Sequence, residues 1–201
     1  MSNKDKIAEA TFLLALSHGF DNVTIKQIQD TAEVTTGAIY YHFKDKNDIL
    51  LYLLNKYFLS QLDEFRRILL DYEGSTTEKL KLLFHCHIGS DIRNEIAFDM
   101  SGLEINYKDY HLLLKGIYHQ HPEFRHLFHD YDLKACNLYK EVVLDLFDKK
   151  ELRNDIDRNG LGLYIFSLLR GFVETWGAFP EMSVEKAIDE NVKLMIDTLK
   201  K

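Results

Sequence analysis

The chain is short of cysteine, proline and, in its first fifty residues, arginine, and each shortage excludes something. Only Cys86 and Cys136 occur, each alone inside a helical pattern, with no CxxC pairing and so no disulfide framework. Only Pro122 and Pro180 occur, which leaves long stretches free of the residue that breaks helices. No apolar run approaches the roughly 18–20 residues of a membrane span. The opening residues, MSNKDKIAEA, lack the apolar core and small-residue cleavage site of a secretory signal. The expected setting is a reduced cytoplasm, with no membrane partner. Positive charge is also scarce. The formal net charge is −7, and residues 1–50 hold five Lys and no Arg against seven Asp or Glu. A broad positive field is thereby excluded, so any nucleic-acid binding rests on a few well-placed cations.

What is present is an ordinary globular composition, 46% hydrophobic and 28% charged over 201 residues. That length holds one full core, or a small domain joined to a larger one. Helical periodicity dominates and no alternating strand pattern stands out, so the expected fold class is all-α. A first helix spans about residues 4–18 and stops at Gly19. Thr24 caps a short helix to about residue 31, and a second short helix runs over about 35–41. Residues 44–47 break the pattern, and a long helix follows to about residue 72. Gly74, Ser75, Thr76 and Thr77 form a turn with a ready cap ahead of Glu78. Residues 91–120, interrupted by Gly102 and Gly116, read as two shorter helices. Three longer apolar stripes follow, one after Pro122, one over 161–176 and one over 184–199.

Residues 24–43 carry the strongest functional signal. Two short helices joined by a tight turn bury little alone and need a third helix behind them, which is a common DNA-binding design. Ile28, Ala32, Val34 and Ile39 supply the inward positions, and Thr35 caps the second helix. Gly37 and Ala38 keep its first turn thin enough to approach DNA. Tyr40 and Tyr41 are adjacent, so they cannot both face a core, and a purely structural unit has little use for the pair.

The pattern Thr24, Ile28, Thr35, Gly37, Ile39, Tyr40, His42, Phe43 and Lys46 resembles the N-terminal signature of TetR-family repressors. The likeness covers residues 7–50, and a weaker echo runs through 149–176. It implies a three-helix DNA-binding domain over residues 1–47 and a larger helical ligand-binding and dimerisation domain over 48–201. It also implies individual roles. Thr36, Ala38 and Tyr40 would reach base edges, while Tyr41 and His42 would touch phosphate, the former sometimes bases. Thr24 and Lys26 would face the DNA backbone, the capping Thr35 counts with the DNA-binding residues, and Lys46 would meet phosphate at the start of the long helix. Two departures stand out. Gln29 takes the place of the family's usual alanine and Glu33 that of its glycine, which brings a side chain and a negative charge to the turn.

No cofactor or metal is expected. Nine histidines include five in residues 111–129, and His85 and His87 flank Cys86, but no metal-binding spacing accompanies them. Phe65, Tyr107, Phe172, His85, His126, Tyr139 and Trp176 are the candidate walls and polar contacts of an apolar effector cavity within residues 51–180. Its coupling to DNA would run through the long helix and Leu51, Leu54, Phe58, Leu62 and Phe65. A homodimer through residues 157–179 and 183–200 is expected, with Gly162, Gly171 and Gly177 allowing close helix approach. The expected partners are therefore double-stranded operator DNA, a small hydrophobic effector and a second copy of the chain, in the manner of a repressor. Two rivals stay open. An enzyme lacks any glycine-rich nucleotide loop or nucleophile elbow here, and a helical interaction module leaves the GAIYYHF helix unexplained.

Overall fold

The computed structural model describes residues 1–89, 105–148, 153–179 and 181–200. Its order is α1 (Asn3–His18), a 3-10 turn (Phe20–Asn22), α2 (Ile25–Ala32), α3 (Thr36–His42), α4 (Lys46–Leu54), a π-helical turn (Asn55–Leu59), α5 (Gln61–Asp71), α6 (Thr76–Ile88), α7 (Tyr107–Gln120), a 3-10 turn (Pro122–Phe124), α8 (Arg125–Asp148), α9 (Arg158–Ala178) and α10 (Val184–Leu199). The described residues contain helix and no strand, and none of their helices is long and apolar enough to cross a membrane.

The helix ends follow from local chemistry. Thr24 and Gln27 form a capping box, as do Ser75 and Glu78, so each pair satisfies two backbone N–H groups reciprocally. Ser2, Thr35 and Asp45 cap α1, α3 and α4 by accepting from Asp5 N, Ala38 N and Asp48 N. Gly19 ends α1 at φ 77° and Gly89 ends α6 at φ 80°, a backbone that glycine adopts without steric penalty. Two expectations are corrected. Gly116 does not interrupt a helix: α7 runs through it from Tyr107 to Gln120, because Tyr110, Leu113 and Ile117 on either side bury one continuous face. The other half of that expectation, including Gly102, lies outside the described residues. The long helix is also not uniform. Its register shifts at Asn55–Leu59, where π-helical turns insert between α4 and α5.

The chain divides into two compact units, residues 1–61 with 103–129, and residues 62–102 with 130–201. In the first, Ile7, Phe12, Phe20, Ile28, Ile39, Leu50 and Tyr57 are buried, and Phe12 stacks on Tyr57 with centroids 4.5 Å apart. Phe12 and Ala15 are both buried, and buried Thr11 donates its hydroxyl to Ile7 O at 2.7 Å. Leu51 is exposed, contrary to expectation, since the inward face of α4 is Leu50, Leu53 and Leu54. In the second unit Leu83, Phe84, Val142, Val143, Ile165, Leu169 and Ile188 form the centre. The Lys79 ammonium, 2% exposed, is admitted there because it donates to Asp145 Oδ2 at 2.9 Å.

Candidate nucleic-acid interface

The first four helices present a short helix outward. Ile39 and Phe43 are buried and fix α3 from behind, while Tyr40 and Tyr41 project, the latter 84% exposed. A tyrosine that exposed contributes nothing to a core, so its place on this helix is available for recognition. Thr36 and Gly37 are exposed and Ala38 and His42 half-buried on the same helix. The sequence therefore brings Thr36, Ala38, Tyr40, Tyr41 and His42 onto one short element. Thr35 and Thr24 use their hydroxyls as caps, accepting from Ala38 N and Gln27 N at 3.2 Å each. Their part is to hold the two helices.

The turn between α2 and α3 is shaped by its departures from the family pattern. Glu33 adopts φ 53° and ψ 46°, and it is the one described non-glycine residue with positive φ. Holding a side chain there costs about 1 kcal/mol relative to glycine. Its N–H still donates to Gln29 O, and Val34 N donates to the same carbonyl at 3.2 Å. Gln29 has a second use that its sequence position did not announce: Thr36 donates its hydroxyl to Gln29 Oε1. The glutamine thus anchors the first residue of α3.

The cations are distributed unexpectedly. Lys46 is half-buried: its ammonium donates to Asp21 O at 2.9 Å and lies 4.7 Å from the Phe20 ring centroid. Burial lowers its pKa, with the Asp21 charge opposing. Lys4 lies over the Tyr52 and Phe43 rings, at 4.5 and 5.4 Å. Lys26 and Lys44 remain exposed beside the helix-turn-helix. A further group, absent from the sequence reading, braces the base of this unit. Buried His121 places Nε2 2.9 Å from Asp21 Oδ1 and Nδ1 3.4 Å from Glu123 Oε1, while Asn47 Nδ2 donates to that Glu123 oxygen at 3.3 Å.

The seven candidate effector residues divide between the two units. Phe65, His85, Tyr139, Phe172 and Trp176 are buried in the second unit. Tyr107 is half-buried and His126 exposed in the first, His126 Nδ1 lying 2.9 Å from Glu123 O. Tyr139 shares a 2.7 Å hydrogen bond with His87 Nδ1, and burial raises its pKa well above the usual phenol value. His87 was not a candidate, and its companion His85 turns elsewhere, toward Glu185 Oε2 at 3.5 Å. Two described cavities, about 310 Å³ and 20 Å³, both lie in the first unit, and none of the seven residues lines either. Among the described residues no three His, Cys, Asp or Glu side chains converge as metal ligands.

Residues 7–53, the stretch that contains this helix-turn-helix, match the model of bacterial regulatory proteins of the tetR family. Residues 7–53 are a TetR-type N-terminal domain. The HTH-type transcriptional regulator YerO of Bacillus subtilis is 22% identical over 143 residues, 70% of this chain and 45% of that protein. The matches span about half or less of the curated relatives' own length. Among solved structures, a TetR transcription regulator from Haloarcula marismortui superposes with a TM-score of 0.71 at 19% identity, covering 99% of this chain and 98% of that one. The fatty acid degradation regulator FadR from Bacillus halodurans gives 0.70 at 21%, covering 98% and 95%. At such identities these structures establish a shared fold. The match identifies residues 7–53 with the helix-turn-helix of bacterial regulatory proteins of the tetR type.

Proposed function

We propose that the chain is a homodimeric transcriptional repressor that binds operator DNA through α3 and is released by a small, largely apolar effector. Residues 1–47 serve as its DNA-binding part and 48–201 as its effector-binding and dimerising part. The observation that carries this reading is the outward Tyr40–Tyr41 pair on a helix whose other face is locked by Ile39 and Phe43. Thr36, Ala38 and Tyr40 read base edges, and Tyr41 and His42 touch the backbone. Lys26, beside Thr24 and Thr35, supplies charge toward phosphate, and Lys46 steadies the start of α4. The protein works where its DNA is, in the cytoplasm.

The dimer reading is supported by the outer faces of α9 and α10. Leu163 and Leu194 are 63% and 66% exposed and Tyr164 is exposed beside them. A Cβ added at Gly171 or Gly177 would meet nothing within 4 Å, so both leave room for an approaching helix. Gly162 has a different duty: a Cβ there would come 2.7 Å from Lys140 Cβ, so its smallness serves packing within the chain. The effector reading is supported by the buried aromatics of the second unit with the His87–Tyr139 pair as a polar contact. The FadR neighbour is named for fatty acid degradation, which agrees with an apolar effector. Coupling runs along the helical turns from Lys46 to Asp71, whose register shift at Asn55–Leu59 is a ready point of adjustment. A gel-shift series with DNA flanking the protein's own gene tests the proposal. A retarded, sequence-specific complex dissolved by hydrophobic compounds supports it, and the absence of any specific complex overturns it.

A further inference from the structure

We propose that the first unit carries a small-molecule site of its own, in the trough between the end of α1 and one face of α7, and that it takes an organic cation with a short apolar body. The trough encloses about 310 Å³, at the lower end of volumes that hold small ligands. From α7 it uses Asp109, Leu112, Leu113 and Gly116, which recur at helical spacing and so share one face. The opposite wall is the last turn of α1 and the 3-10 turn after it, with Ala15 and Phe20 as its buried apolar part.

Its charge selects the ligand. No Lys or Arg lines the trough. The Asp109 carboxylate is exposed and makes no hydrogen bond or ion pair among the described residues. The C-terminal end of α1 adds the partial negative charge of its last carbonyls. His18 and the side-chain amides of Asn22 and Gln120 also line the trough, so the preference rests on Asp109: a neutral compound or an anion leaves it unpaired, whereas an ammonium pairs with it. The apolar body has a place because Leu112, 63% exposed, and Leu113 line one side. Gly116 keeps that side open, since a Cβ there would meet only Gln120 Oε1 at 3.8 Å. None of the seven residues assigned to the effector cavity takes part, so this site stands or falls separately from that assignment.

The test uses the full chain and 2-phenylethylammonium as probe, with 2-phenylethanol and phenylacetate as its neutral and anionic counterparts, read by calorimetry or ligand-observed NMR. The cation is expected to saturate with a Kd of about 10 mM or tighter. Both counterparts should bind at least about fivefold more weakly, the scale of an exposed ion pair. Asp109→Asn should lose the same factor, Asp109→Glu should retain binding, and Gly116→Leu should abolish it by filling the trough. Asp109 is exposed, so its asparagine variant keeps the fold and the test keeps its force. Absence of saturable binding, equal binding of 2-phenylethanol, or undiminished binding by Asp109→Asn overturns the proposal.

Discussion

His121 Nε2 lies 2.9 Å from Asp21 Oδ1, a contact that joins the turn after α7 to the turn after α1 across 100 residues of sequence. The same Asp21 receives the Lys46 ammonium on its backbone carbonyl, so one short turn is held by the starts of two other elements. His121 also meets Phe20 edge-on at 5.5 Å. His121→Ala removes a buried, hydrogen-bonded ring and is expected to destabilise the fold by about 1–3 kcal/mol. Thermal unfolding followed by circular dichroism should show a Tm lower by several degrees, and an unchanged Tm would deny the contact any bracing role.

Glu33 offers a test with two separable effects. The steric cost of its positive φ and its charge both disappear in Glu33→Gly, whereas Glu33→Ala removes the charge and keeps the backbone strain. Glycine's greater freedom in the unfolded chain offsets part of the relief, so the net gain for Glu33→Gly should be about 0.5 kcal/mol. Glu33→Ala should show no such gain in denaturant unfolding. Equal stability of the two variants would remove backbone strain from the account of this turn.

Asp5 gives the stability a pH dependence. Hydrogen bonds from Lys56 at 2.6 Å, from Ser2 and from Tyr52 hold its carboxyl well below the ordinary carboxylate range, with burial opposing. A depressed folded-state pKa stabilises above the unfolded value, and that stability fades as pH falls through the folded one. The pair is about one-third exposed, so Asp5→Asn should cost only about 0.5–1 kcal/mol at pH 7. The difference from the parent chain should shrink below about pH 4 and vanish in stronger acid. A difference constant from pH 7 to pH 2 would contradict this assignment.

The helix ends were legible in the sequence because they are decided within four residues. Thr24 with Gln27 and Ser75 with Glu78 show their partners at fixed spacing. The outward tyrosines of α3 were equally legible, since adjacent helical residues cannot share a buried face. What escaped depends on distant neighbours. Nothing near Lys46 shows that Asp21 O will hold its ammonium, nor near His121 that Asp21 will face it. Gly116 carries ordinary helix-breaking statistics, and only the burial of its flanking residues keeps α7 whole. The π-helical turn at Asn55–Leu59 accompanies a hydrogen bond from Tyr110 OH to Tyr57 O at 2.7 Å, a partner 53 residues away.

The outer faces of α9 and α10 predict the assembly. Leu163→Glu combined with Leu194→Glu puts charge where an apolar partner surface should lie, and a desolvated unpaired charge costs several kcal/mol. Light scattering at micromolar concentration should show a dimer for the parent chain and a monomer for the double variant. A monomeric parent, or an undisturbed dimer in the variant, would remove these faces from the interface.

Selection from random duplex DNA tests the central claim most directly, because it asks whether α3 reads sequence at all. The account predicts enrichment of a pseudo-palindrome whose half-sites lie roughly 34–36 Å apart or a multiple of that. Tyr40→Ala should erase part of each half-site, while Lys26→Ala should weaken all sites alike and lower the salt slope by about 1. Enrichment of no motif, or of one indifferent to Tyr40, would contradict recognition through α3.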